Sequence, residues 1–292
     1  SGIGKGVINI VTNAPQDAAK VVEQLIAHPA IRRINFTGST KVGRIIASLA
    51  AKHLKPVLLE LGGKAPVIVC EDADLDQAVA GVAFGAYFNQ GQICMSTERL
   101  IVHEAIAEAF LDKLVDKINS IAVGSPDAEQ TTFAYLESGQ SAERIRTLVE
   151  DAVQKGAQLP VPLRIEGALM YPLVVNGITP EMRLYAEESF GPVVTMTTFA
   201  TVDEALALAN DTPYGLSAAV YSQDVNQALS IAQRIQSGIC HINGPTVHDE
   251  AQAPFGGVKD SGYGRFGSRQ AIEEFTDLRW VTVQTTPRQF PL

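Results

Sequence analysis

The sequence predicts an α/β fold of parallel βαβ units, and three observations carry that prediction. Short β-branched runs alternate with amphipathic helical stretches along the whole chain. The 292 residues are 46% hydrophobic and 19% charged, enough for a large buried core in one or two domains. No internal repeat and no low-complexity linker interrupts the alternation.

The elements follow in order. VINIVTN (7–13) is short and β-branched and reads as a buried strand. Ala18, Val21, Val22, Leu25 and Ile26 then share one helical face. IRRINFTG (31–38) is a strand ending in a turn, and Val42, Ile45, Ile46, Leu49, Ala50 and His53 keep helical register behind it. PVLLEL (56–61) is the third strand and, beyond GGK (62–64), PVIVC (66–70) is the next. Asp74 is placed to cap a helix, because its carboxylate can accept free N–H groups of the first turn. Leu75, Ala78, Val79, Val82, Ala83, Ala86 and Tyr87 form the buried stripe of that helix. RLIVH (99–103) is a strand and 105–118 a helix; a helix over 142–155 stops at Gly156, which suits a left-handed cap. FATVDEALALAND (199–211), AAVYS (218–222), 225–236 and ICHIN (239–243) continue the alternation. RWVTVQTT (279–286) alternates like an exposed strand able to pair with another subunit.

The net charge of −9 argues against nucleic acid and anionic membranes as partners. No apolar run approaches the ~18 residues of a membrane span. No basic leader followed by an apolar segment is visible, and Ser1 stands where an initiator Met would, as in a trimmed chain or a fragment. Cys70, Cys94 and Cys240 are few, odd in number and far apart, which fits a reducing compartment such as the cytoplasm. They form no CxxC pair and the five His residues no metal pattern, so no metal is expected.

Several stretches can carry chemistry. FTGSTKVG (36–43) joins strand to helix. Gly38 allows a tight turn, and the helix start offers N–H groups and the Ser39 and Thr40 hydroxyls, suited to a phosphate or simply to capping. LELGGK (59–64) puts Glu60 at the end of an apolar strand. Buried there, its pKa would rise toward that of a general base; the alternative is a carboxylate that swings into solvent or pairs with a Lys. FNQGQICMSTER (88–99) holds Cys94 in a loop after a helix, either as a packed small hydrophobe or as a thiolate stabilised by backbone N–H groups. Cys70 and Cys240, inside apolar strands, read as structural. EESFGPV (187–193) sets acids beside Phe190, a pairing that can hold a ribose and flank a planar ring or merely open a strand. PFGGVKDSGYGRFG (254–267) reads as a turning loop, and His241 and His248 as packing or surface residues, with contact to a substrate the alternative for either.

Taken in order, FTGSTKVG, LELGGK, FNQGQIC, EESFGPV, NDTPYGLSAAVYS (210–222) and PFGGVKDSGYGR resemble the aldehyde dehydrogenase superfamily over essentially the whole chain, including the 34-residue step from Glu60 to Cys94. The resemblance implies that Cys94 is the nucleophile, forming a thiohemiacetal and then a thioester with an aldehyde. It implies that Glu60 is the general base, and that Gly38, Ser39 and Gly43 form the pyrophosphate turn. Leu61, Glu188 and Phe190 would complete the site of a nicotinamide cofactor, NAD or NADP. It also implies a latter part of a Rossmann-type cofactor domain over 1–62, a parallel α/β catalytic domain over 63–262, and a return with an oligomerisation strand over 263–292, in a homodimer or homotetramer. The family's upstream half, with an oxyanion Asn and the adenosine-ribose contacts, has no counterpart here, and 128–140 matches only loosely. HINGPTVHDEAQAPFGGVKDSGYGRFG (241–267) resembles the branch acting on salicylaldehyde, benzaldehyde and vanillin, with Tyr87, Phe88, Ile93 and Met95 as walls for an aromatic ring. The competing expectations are a CoA-acylating relative, which usually lacks the Glu of LELGGK, and an inactive oligomerisation or interaction module.

Overall fold

The structure, a computed structural model, describes residues 2–291. Helix α1 (Ala18–Ala27), strand β1 (Ile34–Thr37), helix α2 (Thr40–Lys52) and strand β2 (Val57–Glu60) form the first unit. Next come β3 (Ala65–Val69), α3 (Leu75–Tyr87), β4 (Thr97–His103), α4 (Ala107–Asn119) and α5 (Gly139–Gln154). A short hairpin of β5 (Ile165–Glu166) and β6 (Leu169–Met170) leads to β7 (Leu173–Asn176), α6 (Arg183–Ala186), β8 (Val193–Phe199) and α7 (Val202–Asn210). The chain continues through β9 (Ser217–Tyr221), α8 (Val225–Ala232), β10 (Ile239–Ile242), β11 (Gly262–Tyr263) and α9 (Ser268–Glu274). Among the described residues, no helix is long and apolar enough to cross a membrane.

Two sheets organise these elements. The larger has order β10-β9-β3-β4-β8-β7, with every neighbouring pair parallel. Its strands are apolar on both faces because both faces are covered. Val67, Val69, Leu100 and Val102 project into a core shared with α3, α4 and α5, while Ile68, Cys70, Ile101 and Val220 enter a second core with α7 and α8. Each such side chain contributes about 1.5–3 kcal/mol on burial. The smaller sheet has order β1-β2-β11, with β1 and β2 parallel and β11 antiparallel to β2. Its core is slight, built on Ile26, Ile46 and Ala50. Val42 and Ile45, on the predicted stripe of α2, are exposed.

Two predicted strands are not strands. VINIVTN lies outside both sheets, with Val7, Ile8, Ile10 and Val11 exposed. β-branched composition favours extended backbone, but a strand also needs a partner ladder, and no described segment supplies one. RWVTVQTT is likewise irregular and exposed, with Trp280 89% accessible.

The sheets meet end to end. β1 and β2 point their carboxyl ends at the junction, while β3, β4 and β8 begin there. Residues 61–64 carry the chain from β2 to β3. Ser261 braces this turn: its backbone carbonyl accepts from Leu61 N (3.0 Å), its hydroxyl donates to Gly62 O (2.7 Å), and that hydroxyl accepts from Gly215 N (3.0 Å). The glycine-rich loop 254–267 is thereby the clamp of the junction.

Candidate active site

Glu60 ends β2. Its backbone carbonyl accepts from Gly38 N at 3.0 Å, which ties together the carboxyl ends of β1 and β2. Its side chain is 3% exposed, and neither carboxylate oxygen has a hydrogen-bond partner. Burial pushes its pKa up to about 7, opposed by the facing Cys94 thiol and then by the Arg265 guanidinium. The thiol favours the carboxylate without reaching the geometry of a full hydrogen bond.

Cys94 lies where α3 has given way to an unusual turn. Asn89, Gln90 and Gly91 have φ of 50°, 56° and 68°, a left-handed run that only glycine adopts freely. Gly91 has a second reason to be glycine, because a Cβ there would overlap the carbonyl of Gly191. Gln92 fastens the loop outward: its Oε1 accepts from Glu137 N at 2.8 Å, so the segment 128–140 is tied to the Cys94 loop. The Cys94 thiol is pushed up to about 12, first by burial and then by the Glu60 and Glu188 carboxylates. The N–H groups of Cys94 and Met95 act in the opposite direction, as donors toward the sulfur. A thiol in this setting stays protonated at neutral pH until a base removes its proton.

Gly63 brings this loop against the β2–β3 turn, and a Cβ at 63 would overlap the Cys94 carbonyl oxygen. Gly63→Ala must therefore displace the Cys94 backbone by a few tenths of an ångström or more. The expected result is a loss of stability of about 1–3 kcal/mol and a fall in turnover on the order of 10²-fold, read by thermal unfolding and steady-state rates. A variant with wild-type turnover would show that this contact does not set the position of Cys94.

Glu188 approaches from the loop before β8. Its Oε1 accepts from Gly63 N at 2.9 Å. Burial pushes it up to about 7, the nearby Glu98 carboxylate adding to the effect, while Gly63 N–H, Lys64 and Arg144 work the other way. Phe190, at φ 46°, is half exposed. Arg144, reaching over from α5, donates to Glu188 O (3.1 Å) and also to Ser189 O. Beneath the loop, Lys64 and Glu98 form a buried ion pair of 2.6 Å.

Cys94, Arg144, Glu188 and Phe190 line an open cleft of about 680 Å³, and Glu60, Lys64 and Glu98 are not among its lining residues. Of the residues singled out in the sequence, Gly38, Ser39, Leu61, Ile93, Cys94, Glu188 and Phe190 line it. Ser39 caps α2, its hydroxyl accepting from Val42 N at 3.4 Å, so the helix start faces the cleft. Gly43 is one turn removed; a Cβ there would come within 2.5 Å of Leu61, so its role is to let α2 pack on Leu61. Among the four ring-wall candidates only Ile93 lines the cleft. Tyr87 is 3% exposed within the main core, with its hydroxyl donating to Leu173 O at 3.2 Å. It lies on the same buried stripe that predicts the helix, and that stripe fixes its direction. Met95 is buried, and Phe88 is exposed and stacked on Phe84 at 4.8 Å. His241 and His248 lie outside the cleft with rings 5.2 Å apart. Among the described residues no cluster of three or more His, Cys, Asp or Glu could hold a metal.

Arg144, Lys64, Glu98 and Ser261 carry no role in the sequence reading. Glu98 was within reach of the argument applied to Glu60, a carboxylate at the margin of an apolar strand. Arg144 was not, since it sits on an ordinary polar helix face.

Comparison with known proteins matches this arrangement. The chain is 59% identical to a vanillin dehydrogenase of Pseudomonas sp. (strain HR199 / DSM 7063), over 100% of this chain and 60% of that protein. It is 46% identical to a salicylaldehyde dehydrogenase of Pseudomonas putida, again over 100% of this chain and 60% of the relative. The chain thus spans about 60% of the length of these curated relatives. The crystal structure of a salicylaldehyde dehydrogenase from Pseudomonas putida G7 complexed with salicylaldehyde superposes with a TM-score of 0.97 at 45% identity, covering 100% of this chain and 60% of that one. An NAD-dependent aldehyde dehydrogenase from Sinorhizobium meliloti gives 0.93 at 40% identity, covering 99% and 57%. The aldehyde dehydrogenase family model matches residues 1–281, and the chain belongs to that family.

Proposed function

We propose that this chain carries the catalytic centre of a nicotinamide-dependent oxidation of an aromatic aldehyde to its carboxylic acid. The observation that supports this best is the meeting of Glu60 and Cys94, a raised carboxylate facing a raised thiol, with Cys94 lining a cleft that Glu188 and Phe190 also line.

Glu60 first accepts the Cys94 proton, and the thiolate attacks the aldehyde carbon. The N–H groups of Cys94 and Met95 receive the alkoxide of the resulting thiohemiacetal. A bound nicotinamide ring supplies the acceptor for the hydride that leaves this carbon, and a thioester on Cys94 remains. Glu60 releases the first proton to solvent and then takes one from water as the water oxygen attacks the thioester; the Cys94 thiolate departs from the acid and recovers its proton from Glu60. The chain's residues fit the cofactor's parts. The N-terminus of α2 at Gly38 and Ser39 suits a pyrophosphate. Glu188 Oε2, which carries no hydrogen bond, suits a ribose hydroxyl, and exposed Phe190 suits a planar ring edge. We take NAD as the cofactor, with NADP as the alternative.

The names of the relatives, vanillin and salicylaldehyde dehydrogenase, support the aromatic class. The separation into two sheets supports a division into 1–62, 63–262 and 263–292, with β11 returning to the smaller sheet. The exposed Trp280, Val281 and Val283 suit a tail that associates with a second copy. Three free cysteines suit a reducing cytoplasm. The test is dinucleotide reduction, followed by absorbance, with vanillin, salicylaldehyde, benzaldehyde and hexanal, and with NAD⁺ against NADP⁺. Acid formation that favours the aromatic aldehydes by tenfold or more in kcat/KM is the expected result; equal rates for hexanal would remove the aromatic assignment.

A further inference from the structure

Lys64 and Glu98 are the most buried charged pair in the described chain, with side chains 0% and 4% exposed. The reaction scheme above uses neither. Burying two charges is not in itself stabilising, since an apolar pair of similar volume often serves as well or better. The pair's other contacts suggest what it does. Both Glu98 oxygens accept from Ser189 N at 2.9 Å, and Oε1 also accepts from Phe190 N at 3.1 Å. These are the two amides directly after Glu188. Phe190 holds a left-handed φ of 46°, a conformation that persists in a non-glycine residue only when its surroundings impose it. Lys64 directly follows Gly63, whose N–H holds Glu188 Oε1.

The two residues also stand in register with the catalytic groups. Lys64 is four residues beyond Glu60 and Glu98 four beyond Cys94. They bridge the starts of β3 and β4, where Ala65 pairs with Thr97. We propose that the Lys64–Glu98 pair positions the dinucleotide site: it locks the 188–190 loop so that Glu188 and Phe190 face the cleft, and does so from the strands that follow the base and the nucleophile. This rests on the cofactor reading of the cleft. Glu98 and Lys64 are positioning residues that act through Glu188 and Phe190.

Removing one partner would leave a buried uncompensated charge, so the informative variant replaces both, Lys64→Met with Glu98→Leu. It removes the anchor and strands the two amides without leaving a charge. In the intact protein, NAD⁺ is titrated calorimetrically, Cys94 alkylation by iodoacetamide is timed, and hydrogen exchange is followed at the amides of 189 and 190. The expected result is an NAD⁺ Kd raised about tenfold or more, faster exchange at both amides, and Cys94 alkylation within about twofold of wild type. An unchanged Kd overturns the proposal, as does a change in alkylation that parallels the change in Kd, which would mark a merely structural role. If the double variant does not fold, Glu98→Asp decides. It keeps the charge beside Lys64 but withdraws the oxygens from the amides by one methylene, and an unchanged Kd there is equally fatal. A wild-type protein that binds no dinucleotide would overturn the functional reading instead, while the exchange comparison would still test the anchoring.

Discussion

Cys94→Ala is expected to lower aldehyde oxidation by on the order of 10⁴-fold or more while leaving dinucleotide affinity nearly unchanged. In the proposed scheme the thiol forms the covalent adduct from which hydride leaves, so its loss removes a step rather than weakening one. Cys70 and Cys240 offer no substitute. Cys70 is buried in the core between the large sheet and α7/α8, and Cys240 packs against that core. The measurement is single-turnover dinucleotide reduction with excess enzyme, alongside calorimetric binding. A rate within tenfold of wild type would remove Cys94 from the chemistry. Loss of binding together with rate would instead mean that the substitution disturbs the cleft.

Glu60→Gln is expected to reduce turnover by about 10²–10⁴-fold, the range of a general base. The pH dependence sharpens the test. With its pKa near 7, Glu60 gains its basic form as pH rises through neutrality, so wild-type turnover should climb between roughly pH 6 and 8, and the Gln variant should lack that limb. Stability runs the other way. The folded state holds the Glu60 proton up to about 7, whereas the unfolded chain releases it near 4.5. Between those values the unfolded state is the one that ionises first, so stability from this group is full below the lower value and is lost as pH rises toward 7. Glu60→Gln carries no such penalty, so its melting temperature should exceed that of wild type at pH 8 and approach it at pH 4.5. A variant that keeps the rising limb, or melts below wild type at pH 8, would mean that Glu60 is neither the base nor held against its ionisation.

Much of this centre is legible before folding. Apolar runs bounded by turns locate β1, β2, β3, β4, β9 and β10, and the stripe from Leu75 to Tyr87 locates α3. Read alone, Glu60 is equally a carboxylate that reaches solvent and Cys94 a packed thiol; it is their place among six ordered motifs that singles them out. What escapes is pairing. VINIVTN has the composition of a strand, but composition does not supply a neighbour. β7 passes unnoticed because LVVN reads as the tail of a loop after a hairpin, and β8 enters only as the strand that EESFGPV could open, until the parallel ladder at Leu173 and Val193 forms. Tyr87 escapes in the opposite sense. Its nearness to Cys94 in sequence suggests a pocket wall, yet its helical phase carries it into the core. The Lys64–Glu98 contact joins residues 34 apart on neighbouring strands, a relation that only the register between β3 and β4 creates.

The end-to-end meeting of the two sheets has a mechanical consequence. Glu60 belongs to the smaller sheet and Cys94 to the loop that leads into β4 of the larger one, and residues 61–64 connect the two sheets. The separation of Glu60 and Cys94 therefore depends on how the two sheets are set against each other. A tilt of a few degrees, acting over the length of a strand, shifts one relative to the other by an amount on the scale of 1 Å, enough to change a rate by roughly 10²-fold. Ser261 is the strut across that hinge, joined at once to Leu61, Gly62 and Gly215.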